Sequence, residues 1–123
     1  MPRIFFFLLL LCTTFMLTCD KNDRVEIRLE NQTGKDFVSV YVNSNGAENN
    51  YPSLANGDRS AYKAYERAYG YGYVEAITTV GDTLFVQPID YVGETGLDNG
   101  QYTYVLTLSD PGNRYMGITL ERD

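Results

Sequence analysis

The spacing of apolar residues after residue 24 restricts the fold more than any other feature of the sequence. Val25, Ile27 and Leu29 alternate with charged residues, and a period of two is typical of a strand with one buried face. Similar short runs recur, separated by turn-forming segments such as 110–113. We therefore predict an all-β chain in which residues 25–123 form a single antiparallel β-sandwich of about seven strands.

The predicted strands differ in how clearly the pattern defines them. Residues 43–58 are mostly polar and contain several turn signals, so we predict a long connection there. Residues 60–68 are ambiguous between helix and strand, and we assign a strand because the neighbouring segments are strand-like. The full set of predicted strands is 25–30, 37–42, 60–68, 71–80, 83–89, 101–108 and 115–121, with Val38, Val40 and Val42 sharing one face.

Composition excludes several classes of chemistry. The chain has no histidine and two cysteines, Cys12 and Cys19, which both precede the predicted domain. Zinc sites of the Cys/His type, histidine-ligated haem and histidine-assisted nucleophilic catalysis are therefore excluded, as is a disulfide within the domain. We predict no metal and no cofactor. The formal net charge of −6 opposes nucleic-acid binding.

The N-terminal segment predicts export. Residues 4–17 are almost continuously apolar and follow Arg3, a run that suits the hydrophobic region of a signal peptide. It is shorter than the ~20 residues that span a bilayer comfortably, which disfavours the alternative of a transmembrane anchor. We predict that residues 1–18 are a signal peptide.

The end of this segment, Met16-Leu17-Thr18-Cys19, resembles the lipobox of bacterial lipoproteins. The resemblance implies cleavage before Cys19, acylation of its thiol and attachment to a membrane. Thr18 stands where Gly, Ala or Ser is usual, a departure that Bacteroidota lipoproteins tolerate. Residues 19–24 would comprise the acylated cysteine and a charged tether, residues 20–24. They resemble a Bacteroidota surface-export signal, which implies an outer-membrane, outward-facing position; an enteric inner-membrane retention signal is the alternative.

Residues 97–102 carry a second resemblance. Asp98, Gly100 and Tyr102 are spaced as in the tyrosine corner of immunoglobulin-like domains, which implies that the Tyr102 hydroxyl bonds back to the loop before its strand. Tyr104 stands where antibody-type domains place a cysteine. A transthyretin-like sandwich or a small barrel would show much the same strand pattern, so these alternatives stay open.

Tyrosine is the main compositional oddity, with 11 residues. Tyrosine combines a large apolar face with a hydroxyl and suits the binding of glycans, peptides or partner proteins. The alternative is that these side chains fill the rim and edges of the core. The candidate binding face comprises Tyr62, Tyr65, Tyr69, Tyr71 and Tyr73.

Other candidate sites have weaker support. The candidate carboxylates for a hydrolytic pair are Glu75, Asp90 and Glu94, but nothing in the sequence marks a pair out. Asp82-Thr83-Leu84 resembles the short O-glycosylation motif of Bacteroidota exported proteins, which makes Thr83 a candidate modification site. The sequence favours a non-catalytic cell-envelope lipoprotein that acts as a binding or assembly module, with a glycan- or peptide-binding module as the alternative and a hydrolase as a weaker one.

Overall fold

A computed structural model describes residues 24–88 and 94–123, and that part of the chain is all-β without helix. Within those residues there is accordingly no helix able to cross a membrane. The eight strands are β1 (Val25–Gln32), β2 (Phe37–Ser44), β3 (Ala47–Tyr51), β4 (Lys63–Tyr65), β5 (Tyr73–Thr78), β6 (Thr83–Val86), β7 (Gly100–Thr107) and β8 (Gly117–Arg122).

The strands form two four-stranded sheets in a sandwich-like arrangement. The first sheet has the order β4-β1-β7-β8 and the second has the order β3-β2-β5-β6. All neighbouring strands pair antiparallel except β1 and β7, which run parallel from Val25↔Gly100 to Gln32↔Thr107. The prediction of a purely antiparallel sandwich was therefore wrong at this pair. Alternation predicts which face of a strand is buried, but it carries no information about which strand lies beside it.

The core lies between the two sheets and follows the predicted alternation. Ile27, Leu29 and Leu106 of the first sheet are fully buried, and so are Val42 and Val74 of the second. Side chains of a strand point alternately to opposite faces, so strands such as β1 and β5 supply every second residue to this core. The burial of these apolar faces is the main source of stability in a domain that has no disulfide within its described residues.

A β-bulge corrects the predicted face of one residue. The register between β2 and β5 shifts between Phe37 and Ser39. Phe37 is consequently buried at 1% exposure, whereas Val38 is 47% exposed. Val38 therefore does not share the inner face with Val40, because the extra residue of a bulge reverses the alternation before it.

Strand β3 lies within the segment that we predicted to be a long connection. It pairs with β2 through a tight hairpin at Asn45 and Gly46, whose φ angles are 54° and 81°. Positive φ at both central positions is the conformation of a type I′ turn, for which Asn-Gly is a favoured sequence. Only Tyr51 of this strand is buried, so hydrophobic periodicity gave no strand signal here.

Several other predictions were only partly right or lie outside the described residues. In the ambiguous segment 60–68 only Lys63–Tyr65 forms a strand, which pairs with the start of β1. The predicted signal peptide 1–18, Cys19 and the first part of the tether lie outside the described residues, as does Asp90.

Candidate functional site

The outer face of the second sheet carries three neighbouring aromatic side chains. Tyr41 of β2 lies edge-on to Tyr73 of β5, with ring centroids 6.2 Å apart and an interplanar angle of 61°. The ring of Phe85 on β6 is 6.4 Å from that of Tyr73. All three side chains are half-buried. Tyr41, Tyr73 and Phe85 are called the aromatic row below.

Strand register explains why these rings meet. Glu75 pairs with Tyr41 on one side and with Phe85 on the other, and Asn43 pairs with Tyr73. Tyr73 is two residues along β5 from Glu75 and on the same face, so its ring lies within diagonal reach of both Tyr41 and Phe85. The residues adjacent to each ring in its strand point into the core. The three rings therefore lie on the opposite, solvent-facing side of the sheet.

Two carboxylates border the aromatic row. The Tyr41 hydroxyl donates a hydrogen bond to Glu48 Oε1 at 2.7 Å, and the Tyr73 hydroxyl donates to Glu75 Oε2 at 3.1 Å. The bond to Glu48 raises the pKa of Tyr41, while burial and then the bond to Glu75 raise the pKa of Tyr73. Both phenols are thus neutral near pH 7. The carboxylates keep lone pairs with which to accept further hydrogen bonds.

The outer face of the first sheet is different, because its central carboxylate is paired with a guanidinium as well as with hydroxyls. The Arg28 guanidinium lies 4.9 Å above the Tyr62 ring and 3.5 Å from Asp123. Thr103 and Tyr62 both donate hydrogen bonds to the Asp123 carboxylate. Burial opposes ionisation of this carboxyl, but these hydrogen bonds and the charges of Arg28 and Arg59 outweigh it and lower its pKa. This face is therefore a closed network with its main donors and acceptors already paired.

The predicted tyrosine face is not assembled as one surface. Tyr65 is only 2% exposed and lies in the core, and Tyr62 lies on the outer face of the first sheet. Tyr73 lies on the second sheet, while Tyr69 and Tyr71 are half-buried in the segment before β5. Only Tyr73 belongs to the aromatic row, so the candidate face must be corrected to one that spans three strands of the second sheet.

The other two members of the row were missed from the sequence. Tyr41 and Phe85 occupy outward positions, each between two inward apolar residues of its strand. An aromatic residue at an outward strand position was the available signal. It was overlooked because neither residue lies near the dense tyrosine segment.

Buried tyrosine hydroxyls connect the two sheets. Tyr51 of β3 donates to the Ile27 carbonyl of β1 at 2.8 Å, and its oxygen is 2.8 Å from the Tyr65 hydroxyl of β4. Tyr104 of β7 donates to the Tyr69 carbonyl and lies 3.0 Å from Ser44 Oγ of β2. Part of the high tyrosine content therefore serves the core, because a buried hydroxyl needs such a partner.

Tyr102 makes the contact that a tyrosine corner makes. Its hydroxyl donates to the Asp98 carbonyl at 2.8 Å, across the loop that leads into β7. Gly100, between them, has a φ of 149° and is buried beside the Arg122 side chain. Arg122 also lies 5.5 Å above the Tyr102 ring. These contacts fix the conformation of the chain where it enters the central strand β7.

Two of the candidate carboxylates for hydrolysis lie on different elements. Glu75 lies on the sheet face, whereas Glu94 lies in the loop before β7, where the Tyr71 hydroxyl donates to it at 3.5 Å. The two clearly shifted carboxyl pKa values, those of Glu30 and Asp123, are both lowered, the opposite of what a general acid requires. In residues 24–88 and 94–123 no group of three or more Asp, Glu, Cys or His side chains is placed to hold a metal ion.

Comparison with known proteins supports the fold alone. No family model matches the chain, and no curated protein matches it significantly. A protein from Eubacterium rectale, whose structure was determined by NMR, is similar with a TM-score of 0.60 and 20% identity, over 80% of this chain and 91% of that chain. At this identity the likeness shows a shared all-β architecture.

Proposed function

We propose that the protein is a non-catalytic lipoprotein of the bacterial cell envelope that binds a ligand through the aromatic row. The signal-peptide pattern of residues 1–18 and the lipobox-like sequence around Cys19 support the location. Acyl chains on Cys19 would hold the protein to the membrane, and residues 19–24 would separate the domain from it. The strand order β4-β1-β7-β8 and β3-β2-β5-β6, with β1 parallel to β7, supports a transthyretin-like sandwich over an immunoglobulin-like one, because immunoglobulin-like domains place their first two strands in the same sheet.

The anchor is tested by metabolic labelling in the native host with a fatty-acid analogue, comparing wild type with Cys19→Ala. We expect label on the wild type and none on the variant. Protease treatment of intact cells then distinguishes the leaflets, and we expect digestion of the wild type, because the proposed position is outward-facing. A labelled but protected protein would contradict surface exposure, and an unlabelled wild type would contradict acylation.

One observation carries the binding proposal: the two outer faces of the sandwich differ in how far their polar groups are satisfied. On the first sheet, Arg28, Tyr62 and Asp123 bind one another. On the second, half-buried rings lie beside carboxylates that can accept more hydrogen bonds. A face of partly exposed aromatic side chains on a rigid sheet is typical of a recognition surface.

The chemistry of the aromatic row favours a neutral glycan. Ring faces suit the C–H-rich faces of sugars, and Glu48 and Glu75 offer acceptors for sugar hydroxyls. Two carboxylates at the row repel anionic ligands. A peptide remains the alternative class, and a peptide rich in Lys or Arg would suit the same carboxylates.

Parallel glycan and peptide arrays, probed with the detergent-solubilised protein, decide between these classes. We expect binding to neutral glycans at 0.15 M salt and no preference for basic peptides. Binding restricted to basic peptides, and lost when salt is raised, would assign the face to a protein partner instead. A protein that binds neither class would contradict the binding proposal.

A further inference from the structure

A separate cleft lies where three loops meet at one end of the sandwich. The turn between β1 and β2, the turn between β5 and β6 and the loop between β7 and β8 enclose about 200 Å³. The lining residues are Lys35, Asp82, Thr83, Leu84, Pro111, Gly112, Asn113 and Arg114. Loops held by a rigid sandwich are a common position for binding sites.

Two cations of this cleft lack a partner. In the described part of the chain, neither the Lys35 ammonium nor the Arg114 guanidinium has an ion pair or a side-chain hydrogen bond. The Asn113 Oδ1 accepts the Tyr115 N–H at 3.2 Å, and its Nδ2 donates no hydrogen bond within the described residues. The cleft therefore offers several unsatisfied donors but only one carboxylate, that of Asp82.

The backbone that carries these side chains is firmly held. The Lys35 carbonyl accepts hydrogen bonds from the buried Asn31 amide at 2.7 Å and from Thr33 Oγ1 at 3.3 Å. The Arg114 carbonyl accepts the Phe85 N–H at 2.8 Å, which docks the loop against the edge strand β6. The Asp82 N–H donates to Thr78 Oγ1 at 3.0 Å. Such fixed supports reduce the ordering cost of binding.

We propose that this cleft binds a small monoanionic hydroxycarboxylate, such as a sugar acid. Arg114 and Lys35 would bind the carboxylate, since a guanidinium pairs with that group in bidentate fashion. Asp82 would accept a hydrogen bond from a hydroxyl of the ligand. Two cations and one carboxylate leave a single positive charge, which matches a monoanion better than a phosphate dianion.

Size limits the ligand further. Pockets that hold drug-sized molecules usually measure roughly 300–1,000 Å³, and this cleft is smaller. It therefore suits a single sugar residue or the terminal residue of a chain. The site is distinct from the aromatic row, so its existence does not depend on the proposed function.

The test is an NMR titration of the ¹⁵N-labelled full chain in detergent micelles with sodium D-glucuronate, using D-glucose as the neutral match. We expect saturable shifts of amides in 82–84 and 112–114 with glucuronate and no such shifts with glucose. Arg114→Gln should weaken glucuronate binding at least tenfold. Arg67→Gln is the matched control, because Arg67 contacts Asn45 at the opposite end of β2, and it should bind as the wild type does.

Four results would overturn the proposal. Equal shifts with glucose would show that the carboxylate is not recognised. Equal weakening by Arg114→Gln and Arg67→Gln would show a general charge effect rather than a site. A glycan found by mass spectrometry on Thr83, which is half-exposed at the wall of the cleft, would show that the space is filled by a modification. A loss of binding in Tyr73→Ala alone would assign glucuronate to the aromatic row.

Discussion

The hydroxyl oxygens of Tyr51 and Tyr65 lie 2.8 Å apart inside the sandwich, one on each sheet. The Tyr51 hydroxyl donates a hydrogen bond to the Ile27 carbonyl. Tyr65 is therefore the donor in the hydrogen bond between the two hydroxyls. This chain of two bonds connects the edge strands β3 and β4 to β1. In a domain with no disulfide among its described residues, it fixes the two sheets relative to each other at one edge.

Removing the central hydroxyl should destabilise the domain. Tyr51→Phe leaves the Ile27 carbonyl and the Tyr65 hydroxyl without their shared partner, at a cost of about 1–3 kcal/mol. Urea unfolding, followed by tyrosine fluorescence, measures the change in the free energy of unfolding. Tyr115→Phe is the control, because Tyr115 is 57% exposed and should change stability by less than about 0.5 kcal/mol. Equal effects of the two substitutions would refute the role of the pair.

The same pair predicts loss of stability at alkaline pH. Burial raises the pKa of Tyr65 from its ordinary value of 10.0 to about 12, and raises that of Tyr51 further. The folded state therefore binds more protons than the unfolded state above about pH 10. The contribution is complete below pH 10 and is lost as pH rises through 12. Urea unfolding at several values between pH 9 and 12 should show this decline, and it should be shallower in Tyr51→Phe. A decline of the same slope in both proteins would contradict the assignment.

Close packing at Gly72 predicts a strong effect of a small substitution. A Cβ atom at this position would lie 2.6 Å from the Asn43 carbonyl oxygen and 3.0 Å from Ser44 Cβ. Gly72→Ala therefore forces β2 and the start of β5 apart and should cost about 1–3 kcal/mol. Gly96→Ala meets its nearest atom at 3.8 Å and should leave the thermal unfolding midpoint nearly unchanged. Similar midpoints for the two variants would show that the approach of the strands at Gly72 is not tight.

The alternation of apolar and polar residues predicted the strands that have one buried and one solvent-exposed face. Strand β1 and the inward positions of β5 were found because burial of every second residue leaves a period-two pattern. Strand β3 was not found, because Ala47–Tyr51 is an edge strand that buries mainly Tyr51 and pairs through its backbone. The parallel neighbour of β1 was not predictable either, since strand order depends on contacts far apart in the sequence.

The site was harder to predict than the fold, because the residue type does not reveal whether a side chain is buried or exposed. Tyr65 and Tyr73 are chemically identical, yet one lies in the core and the other on the surface. The Tyr65 hydroxyl is buried beside a hydrogen-bond partner, Tyr51, on the opposite sheet. The residues next to Tyr65 in the sequence give no indication of that partner. Tyr41 and Phe85 were within reach of prediction, because both occupy outward positions of recognised strands.

The central claim is that ligand binding belongs to the aromatic row and not to tyrosines in general. The most direct measurement is affinity electrophoresis of the solubilised protein through gels that contain neutral polysaccharides, with Tyr73→Ala compared against Tyr62→Ala. We predict that Tyr73→Ala loses about tenfold in affinity, equivalent to about 1.4 kcal/mol, while Tyr62→Ala on the other sheet is retarded like the wild type. Unchanged retardation of Tyr73→Ala, or a loss confined to Tyr62→Ala, would contradict the account.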